Sequence, residues 1–442
     1  MAGSARLAAA RALLRVMEGG YSNLVLEGTL GAAGLSFQDR AFAGTLVFGT
    51  LERQITLDYQ LDRFLKRPVA RLDAEVAVCL RLAAYQIFYL DGVPARAAVD
   101  ESVKLCRRLG KHSAAGLVNG VLRSLLREGA VLRYPDRQTD PDGYDAVRLS
   151  CDRSIVALLR QAYDGRGMGM LERAFDNPPR YLRVNTLRTT ADRLAARLAE
   201  EGVEAACHPR VPDCLIARGG DLRQTASFRE GLFHAQDVSA QLAADALDPQ
   251  PGERIVDVCA APGGKSFTLA ERMGDRGRID AFDRYPSRLE AVAGGAARLG
   301  IAAVVPAAVD GTVGDAALIG QADRVLCDVP CSGLGTLRRK PDIRFKNVHD
   351  FAGLLPLQYG ILETAARYLK PGGTLLYSTC TLHPEENEAI VDRFLREHAG
   401  FQPRPLGGIV GRALPQAGWR TILTDEDFGG DGFFLAAMMR TA

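Results

Sequence analysis

The sequence predicts three domains in order: an all-α N-terminal domain, a small α+β middle domain, and a C-terminal α/β domain on a parallel sheet. Three observations predict this. Apolar residues in the first 128 positions or so recur at three- and four-residue steps, the spacing of a helix face. The stretch GAVLRYPDRQTDPDGYD (129–145) loses that period and gains Pro, Asp and Gly, so it reads as a linker. From about residue 236, short apolar runs alternate with helical segments, the pattern of a sheet with helices on both faces. The expected domains are 1–140, 150–235 and 236–442.

In the first domain, Leu7, Ala10, Leu14 and Met17 follow helical spacing, and Arg6, Arg11 and Arg15 leave no signal-peptide core. A transit-like segment is the other reading of this stretch; an ordinary first helix is preferred. SFQD (36–39) has the three-residue spacing of a capping box. EVAVCLRLAAYQIFYL (75–90) and AAGLVNGVLRSLLRE (114–128) continue the helical pattern. In the middle domain YLRVNTL (181–187), ADRLAARLAEEG (191–202) and VEAACH (203–208) suggest a β-α-β unit. The C-terminal strands are expected at RIVDVCA (254–260), GRIDAFD (277–283), AVVPAAVD (303–310), DRVLCDV (323–329) and GTLLYSTC (373–380).

Bulk composition narrows the function classes. The chain has 442 residues, 47% hydrophobic and 24% charged, as a soluble globular protein has. With 55 Lys and Arg against 53 Asp and Glu, any nucleic-acid surface must be a local patch. Nine cysteines without a C-x-x-C, and only six histidines, argue against a disulfide framework and a zinc site and for a reducing, cytoplasmic setting. No apolar run approaches the roughly 18 residues of a membrane span.

The first C-terminal strand runs into CAAPGGKS (259–266). A phosphate-binding loop of the form G-x-x-x-x-G-K-[ST] would need glycine at 259, where Cys259 stands, and G-x-G-x-x-G is also missing. A glycine turn before a helix remains. Asp283 follows Gly263 by 20 residues, about the spacing at which an acid reaches ribose hydroxyls. Asp310 and Asp328 end the next two strands. An aspartate at one strand end is an ordinary turn starter; three in succession, without a phosphate cradle, point to S-adenosylmethionine.

DVPCSG (328–333) and YSTC (377–380) end neighbouring strands, so Asp328, Cys331 and Cys380 should share one crevice. A single cysteine there is ordinarily a core residue. A pair beside a methyl donor suits a pyrimidine, whose C5 becomes nucleophilic only after a thiolate adds to C6. A carboxylic acid near N3 would neutralise the charge pushed there, and a second group would clear the C5 proton.

CAAPGGK, DVPCSG and YSTCTLHPEEN resemble the signature segments of the RNA cytosine-C5 methyltransferases of the NOL/NOP/Sun type. RVN (183–185), FHAQDVSAQLAADAL (233–247) and DGFFLAAM (431–438) fit flanking segments of that family. QDRAFAGTLVFGTL (38–51), LRLAAYQ (80–86), VPARAAVDESV (93–103) and LVNGVLR (117–123) resemble the antitermination-factor NusB fold, so nearly the whole chain is covered. The resemblance implies a NusB-like RNA-binding domain, a small RNA-binding middle domain and a Rossmann-like catalytic domain. It implies methyl transfer from S-adenosylmethionine to C5 of one cytidine in 16S ribosomal RNA. It makes Cys380 the nucleophile and Cys331 the partner in release. Cys259, Ala260, Ala261, Pro262, Gly263, Gly264 and Lys265 become cofactor contacts, with Asp283, Asp310 and Asp328, and Asp328 also faces the ring. Another RNA such as tRNA, a protein amide, or a non-enzymatic assembly factor are the competing readings. A monomer without metal is expected.

TLRRKPDIRFKN (336–347) sets Arg338, Arg339, Lys340, Arg344 and Lys346 against Asp342 alone. A charge run is ordinarily a solvated face. Beside a crevice for a base it reads as phosphate contact, with Phe345 available for stacking.

Overall fold

Side-chain caps and buried polar pairs decide how the N-terminal helices assemble. Ser36 accepts from Asp39 N at 3.1 Å and starts helix Phe37–Glu52, as SFQD predicts. Every residue from Val76 to Gln86 is buried in helix Ala74–Tyr89, which makes it a core helix rather than an amphipathic surface one. Its polar members are paired: Arg81 donates to both oxygens of Asp58 at 2.7 Å, and Gln86 accepts from Arg6 Nε at 2.7 Å. The structure, a computed structural model, describes residues 2–18, 28–29 and 34–441. It divides into two compact units, one of Met1–Asp176 with Leu337–Asp350 and one of Asn177–Thr336 with Phe351–Ala442. In the first, the expected linker already turns helical at Pro141, where Asp140 caps helix Pro141–Arg148 by accepting from Gly143 N at 3.0 Å.

The second unit carries two sheets. Strands β1 (Arg180–Val184), β2 (Glu204–Cys207), β3 (Cys214–Arg218) and β4 (Phe233–Ala235) form an antiparallel sheet of order β2-β3-β1-β4. The expected β-α-β unit is present as β1, helix Ala191–Glu200 and β2, but β3 sits between its strands. Arg183 and Asn185 of the RVN segment face inward. Arg183 Nε donates to Glu271 Oε2 at 2.8 Å, and Asn185 Nδ2 donates to the carbonyls of Gly231 and Leu299 at 2.8 Å.

The larger sheet contains β5 (Arg254–Asp257), β6 (Arg278–Asp283), β7 (Val304–Ala308), β8 (Ala322–Asp328) and β9 (Leu369–Thr379), joined in parallel as expected. Three further strands run antiparallel at its edge: β12 (Phe433–Arg440) pairs with β9, β10 (Phe401–Pro403) and β11 (Arg420–Leu423). The purely parallel sheet is thus corrected to a mixed one, of order β10-β12-β9-β8-β5-β6-β7 with β11 on β12. The chain leaves β5 toward β6 on one side and continues at β8 on the other, so the switch point lies between β5 and β8. Ligands bind open α/β sheets at such a point, outside the carboxyl ends of the strands. Among the described residues no helix is long and apolar enough to cross a membrane.

Candidate active site

The turn after β5 is shaped by Gly263. Its φ is +107°, and a Cβ there would come within 2.4 Å of the Phe267 ring. Only glycine meets both conditions at low cost. Helix Gly264–Arg272 starts directly after it. Ser266 Oγ donates to Asp257 Oδ2 at 2.6 Å, tying the turn to the end of β5. Asp257 was not among the expected site residues, although it ends its strand as Asp283 and Asp328 do. Burial pushes its carboxyl up to about 7, against the hydrogen bond from Ser266.

Asp283 is 4% exposed; it accepts from Tyr285 N at 3.0 Å and faces Arg288 at 3.2 Å. Arg288 also donates to the carbonyl of Ala261 at 3.2 Å, linking this acid to the glycine turn. Asp310 lies two residues beyond β7, in a turn rather than at the strand end. There the Thr312 hydroxyl and amide donate to it at 2.7 and 2.9 Å and hold its carboxyl below the ordinary range. Asp328 ends β8, taking the Lys265 ammonium on one oxygen and the Ser378 hydroxyl on the other, both at 2.7 Å. Burial works against the charge on Lys265, but Asp328, Cys380 and Asp257 outweigh it and leave the ammonium above its ordinary value. Cys259 is different in kind. Burial, then Asp257, Asp328 and Asp283 around it, push its thiol far up, so only its backbone is suited to contact. A crevice with three carboxylates at its strand ends and a fourth just beyond one suits a ligand rich in hydroxyl and amino donors or positive charge, and repels phosphate.

The Cys331 and Cys380 sulfurs are 3.3 Å apart, both partly exposed. Cys380 follows β9 directly, and its carbonyl accepts from Gly335 N at 3.0 Å. Ser332 and Thr381, the next residue after each cysteine, share a hydrogen bond at 2.6 Å. The hydrogen bond to Cys380, then burial, then the charges of Cys380, Glu386 and Asp328 hold the Cys331 thiol well above its ordinary range. The acid-rich segment TLHPEEN after Cys380 does not start a helix there: Pro384–Glu386 is a single 3-10 turn, and helix Glu388–Glu397 starts eight residues after the cysteine. The positive charge near Cys380 is therefore that of Lys265, which interacts with it electrostatically, and not that of a helix start.

The basic run does not act as one patch. Lys340 and Lys346 are exposed, whereas Arg338 and Arg339 are half-buried. Arg344 is fully buried in the first unit. Its guanidinium donates to the carbonyls of Leu149 and Ala174 at 2.9 and 2.8 Å and lies 4.3 Å from the Phe175 ring centroid. It is withdrawn from phosphate contact, which corrects the expectation for this residue. Phe345 packs against the helical core and is likewise not free to stack. Arg344→Ala is expected to destabilise the protein by about 3 kcal/mol or more, because two buried carbonyls lose their donor. Denaturant unfolding measures this; an unchanged midpoint would return Arg344 to the surface.

The chain is similar to known proteins along nearly its whole length. Residues 244–439 match the family described as 16S rRNA methyltransferase RsmB/F. Residues 3–127 match the NusB family, and 154–220 the ferredoxin-like domain of RsmF/B-like methyltransferases. The Bacillus subtilis (strain 168) protein named "Probable ribosomal RNA small subunit methyltransferase B" is 35% identical, over 99% of both chains. A Pseudomonas syringae pv. tomato protein named "Ribosomal RNA small subunit methyltransferase B" is 34% identical, over 99% of this chain and 97% of its own. The crystal structure of PH0851 shares the fold with a TM-score of 0.84 at 23% identity, over 99% of both chains. Three domains of the expected kinds, in the expected order, and full-length relatives of one name place the chain in the RsmB/F family of ribosomal RNA methyltransferases.

Proposed function

We propose that this protein methylates C5 of one cytidine in 16S ribosomal RNA, using S-adenosylmethionine and a covalent bond from Cys380 to C6. The observation that carries the reading is the pair of thiols 3.3 Å apart, flanked by the Lys265–Asp328 ion pair at the switch point of the sheet. S-adenosylmethionine supplies an electrophilic methyl group on a sulfonium. The turn from Cys259 to Lys265 and the carboxylates of Asp283 and Asp310 are suited to hold it, since they offer acceptors to its hydroxyl and amino groups.

Cys380 adds as a thiolate to C6, and Lys265 supplies the positive charge that a thiolate needs nearby. Asp328, held by Lys265 and Ser378, takes the proton that Cys380 gives up on forming its thiolate, delivers it to N3 as charge is pushed there, and takes it back after methyl transfer. C5, now enamine-like, takes the methyl group. Once Cys380 is a thioether it carries no negative charge and is no longer a thiolate acceptor, so its hydrogen bond, the largest influence keeping the proton on Cys331, and its charge are lost together. Cys331, partly exposed, then gives its proton to water and accepts the one from C5. The C–H electron pair restores the C5–C6 double bond and expels Cys380. The target base must first be unstacked and turned into the crevice, and the NusB-like and ferredoxin-like domains are proposed to hold the surrounding RNA.

Bisulfite mapping of 16S ribosomal RNA tests the function. One cytidine should resist conversion in cells carrying the gene and convert fully in its absence; identical maps would refute the reading. For the cofactor, calorimetry of Asp283→Ala is expected to show binding weakened by more than about 1 kcal/mol, and unchanged affinity would remove Asp283 from the site. For the RNA, joint replacement of Arg338, Arg339 and Lys340 by alanine should make log affinity fall less steeply with log salt, because fewer counterions are released. An unaltered slope would make the run a solvated face.

A further inference from the structure

The loop that leaves Cys380 turns Glu386 inward, fully buried. Its Oε2 accepts from Ser332 N at 2.9 Å and from Gln358 Nε2 at 2.8 Å, while Gln358 Nε2 also donates to the carbonyl of Pro330 at 2.9 Å. One carboxylate oxygen, with Gln358, thus grips the residues on either side of Cys331. The Glu386 carbonyl accepts from Tyr377 OH at 2.7 Å, on the strand that leads to Cys380. Glu386 Oε1 is buried and has no hydrogen-bond partner among the described residues. An unsatisfied carboxylate oxygen in the interior is costly. A glutamine could staple the same loops through the same acceptor, so a carboxyl rather than an amide at this place needs an explanation.

The surroundings of the two sulfurs supply one. Glu386 and Asp328 bring negative charge to Cys331, which also faces Cys380 and Tyr377. Lys265 brings positive charge to Cys380 and is itself paired with Asp328. Two thiols in hydrogen-bond contact would otherwise compete for one role.

Resting on the covalent reading above, we propose that Glu386 is a positioning residue that assigns the roles of the two thiols. It clamps the Cys331 loop onto the Cys380 loop and sets a negative charge beside Cys331, so that Cys331 keeps its proton until Cys380 has reacted. Cys380 is then the one thiolate presented to the ring.

The test is the pH dependence of Cys331 alkylation by iodoacetamide, followed by peptide mass spectrometry in a Cys380→Ala background. Adding Glu386→Gln keeps an acceptor for Ser332 N and removes the charge. The alkylation profile should move to lower pH by about one unit, giving about tenfold faster labelling below the midpoint. Glu386→Asp keeps the charge and should leave the profile where it was. Coincident profiles for Glu386 and Glu386→Gln would reduce the residue to a loop staple and overturn the proposal. Equal shifts in the Asp and Gln variants would trace the effect to packing and overturn it as well. Alkylation needs neither RNA nor cofactor, so failure of the covalent mechanism would appear in the adduct experiments below and not in this profile.

Discussion

Cys380→Ala is expected to abolish methylation and to leave no RNA attached to the denatured protein. Loss of a covalent nucleophile lowers turnover on the order of 10⁴- to 10⁶-fold, because the remaining groups then act on a ring that was never activated. Cys331→Ala should behave differently. Cys380 keeps Lys265 beside it, so addition to C6 and methyl transfer proceed, but the C5 proton has lost its acceptor and elimination stalls. The adduct should then accumulate and survive denaturing electrophoresis. Labelled RNA, cofactor and the two variants on one gel make the comparison. An adduct in Cys380→Ala and none in Cys331→Ala would exchange the two roles. Full turnover by both would remove covalent chemistry from the mechanism.

Asp328→Ala should be the next most damaging change. It strips the partner from Lys265, whose side chain is 15% exposed, and from the Ser378 hydroxyl. Breaking a mostly buried ion pair from one side costs about 3 kcal/mol or more, since the other charge stays behind uncompensated. Methylation should fall by about 10²- to 10⁴-fold, the range of a lost acid–base group. Asp328→Asn separates the two effects in part: the amide can still accept from Lys265 or Ser378 but leaves the Lys265 charge uncompensated, so only the hydrogen-bonding share of the stability should return while activity stays low. Denaturant midpoints beside initial methylation rates check this. An active Asp328→Asn enzyme would remove the carboxylate from proton chemistry and leave it a structural anchor.

Those variants probe residues that could be read from the chain, because strand-end position and chemistry coincide there. Asp328 and Cys380 end long apolar runs, and parallel alternation brings such ends together whatever the helices between them do. The glycine turn was legible for the same reason. Asp257 was not singled out, because RIVDVCA reads as one strand to Ala260, whereas the sheet ends at Asp257 and the next residues already form the turn. Glu386 was hidden by its neighbours: PEEN after a cysteine reads as an acidic helix start, and only the folded loop turns one of the two glutamates inward. Arg344 shows the opposite failure. A charge run gives no sign of which member is buried; that depends on carbonyls at Leu149 and Ala174, far away in sequence. Strand β3 lies between the two strands of the expected β-α-β unit because antiparallel order is set by pairing across the sheet and not by sequence adjacency. The antiparallel edge of the large sheet escaped for a different reason: FFLAAMM is apolar without alternation and buried on both faces, the pattern of a parallel-sheet strand.

The most direct test of the central claim is a trap. Ribosomal RNA fragments carrying 5-fluorocytidine present a ring whose C5 cannot release a proton, so a covalent enzyme that adds to C6 and methylates C5 is held at the adduct. After incubation with S-adenosylmethionine and proteolysis, mass spectrometry should find one modified peptide. It should contain Cys380 and carry the fluorinated nucleotide with one added methyl group. A modified peptide containing Cys331 or Cys259 instead, or free RNA methylated without any protein adduct, would contradict the assignment of Cys380 as the nucleophile.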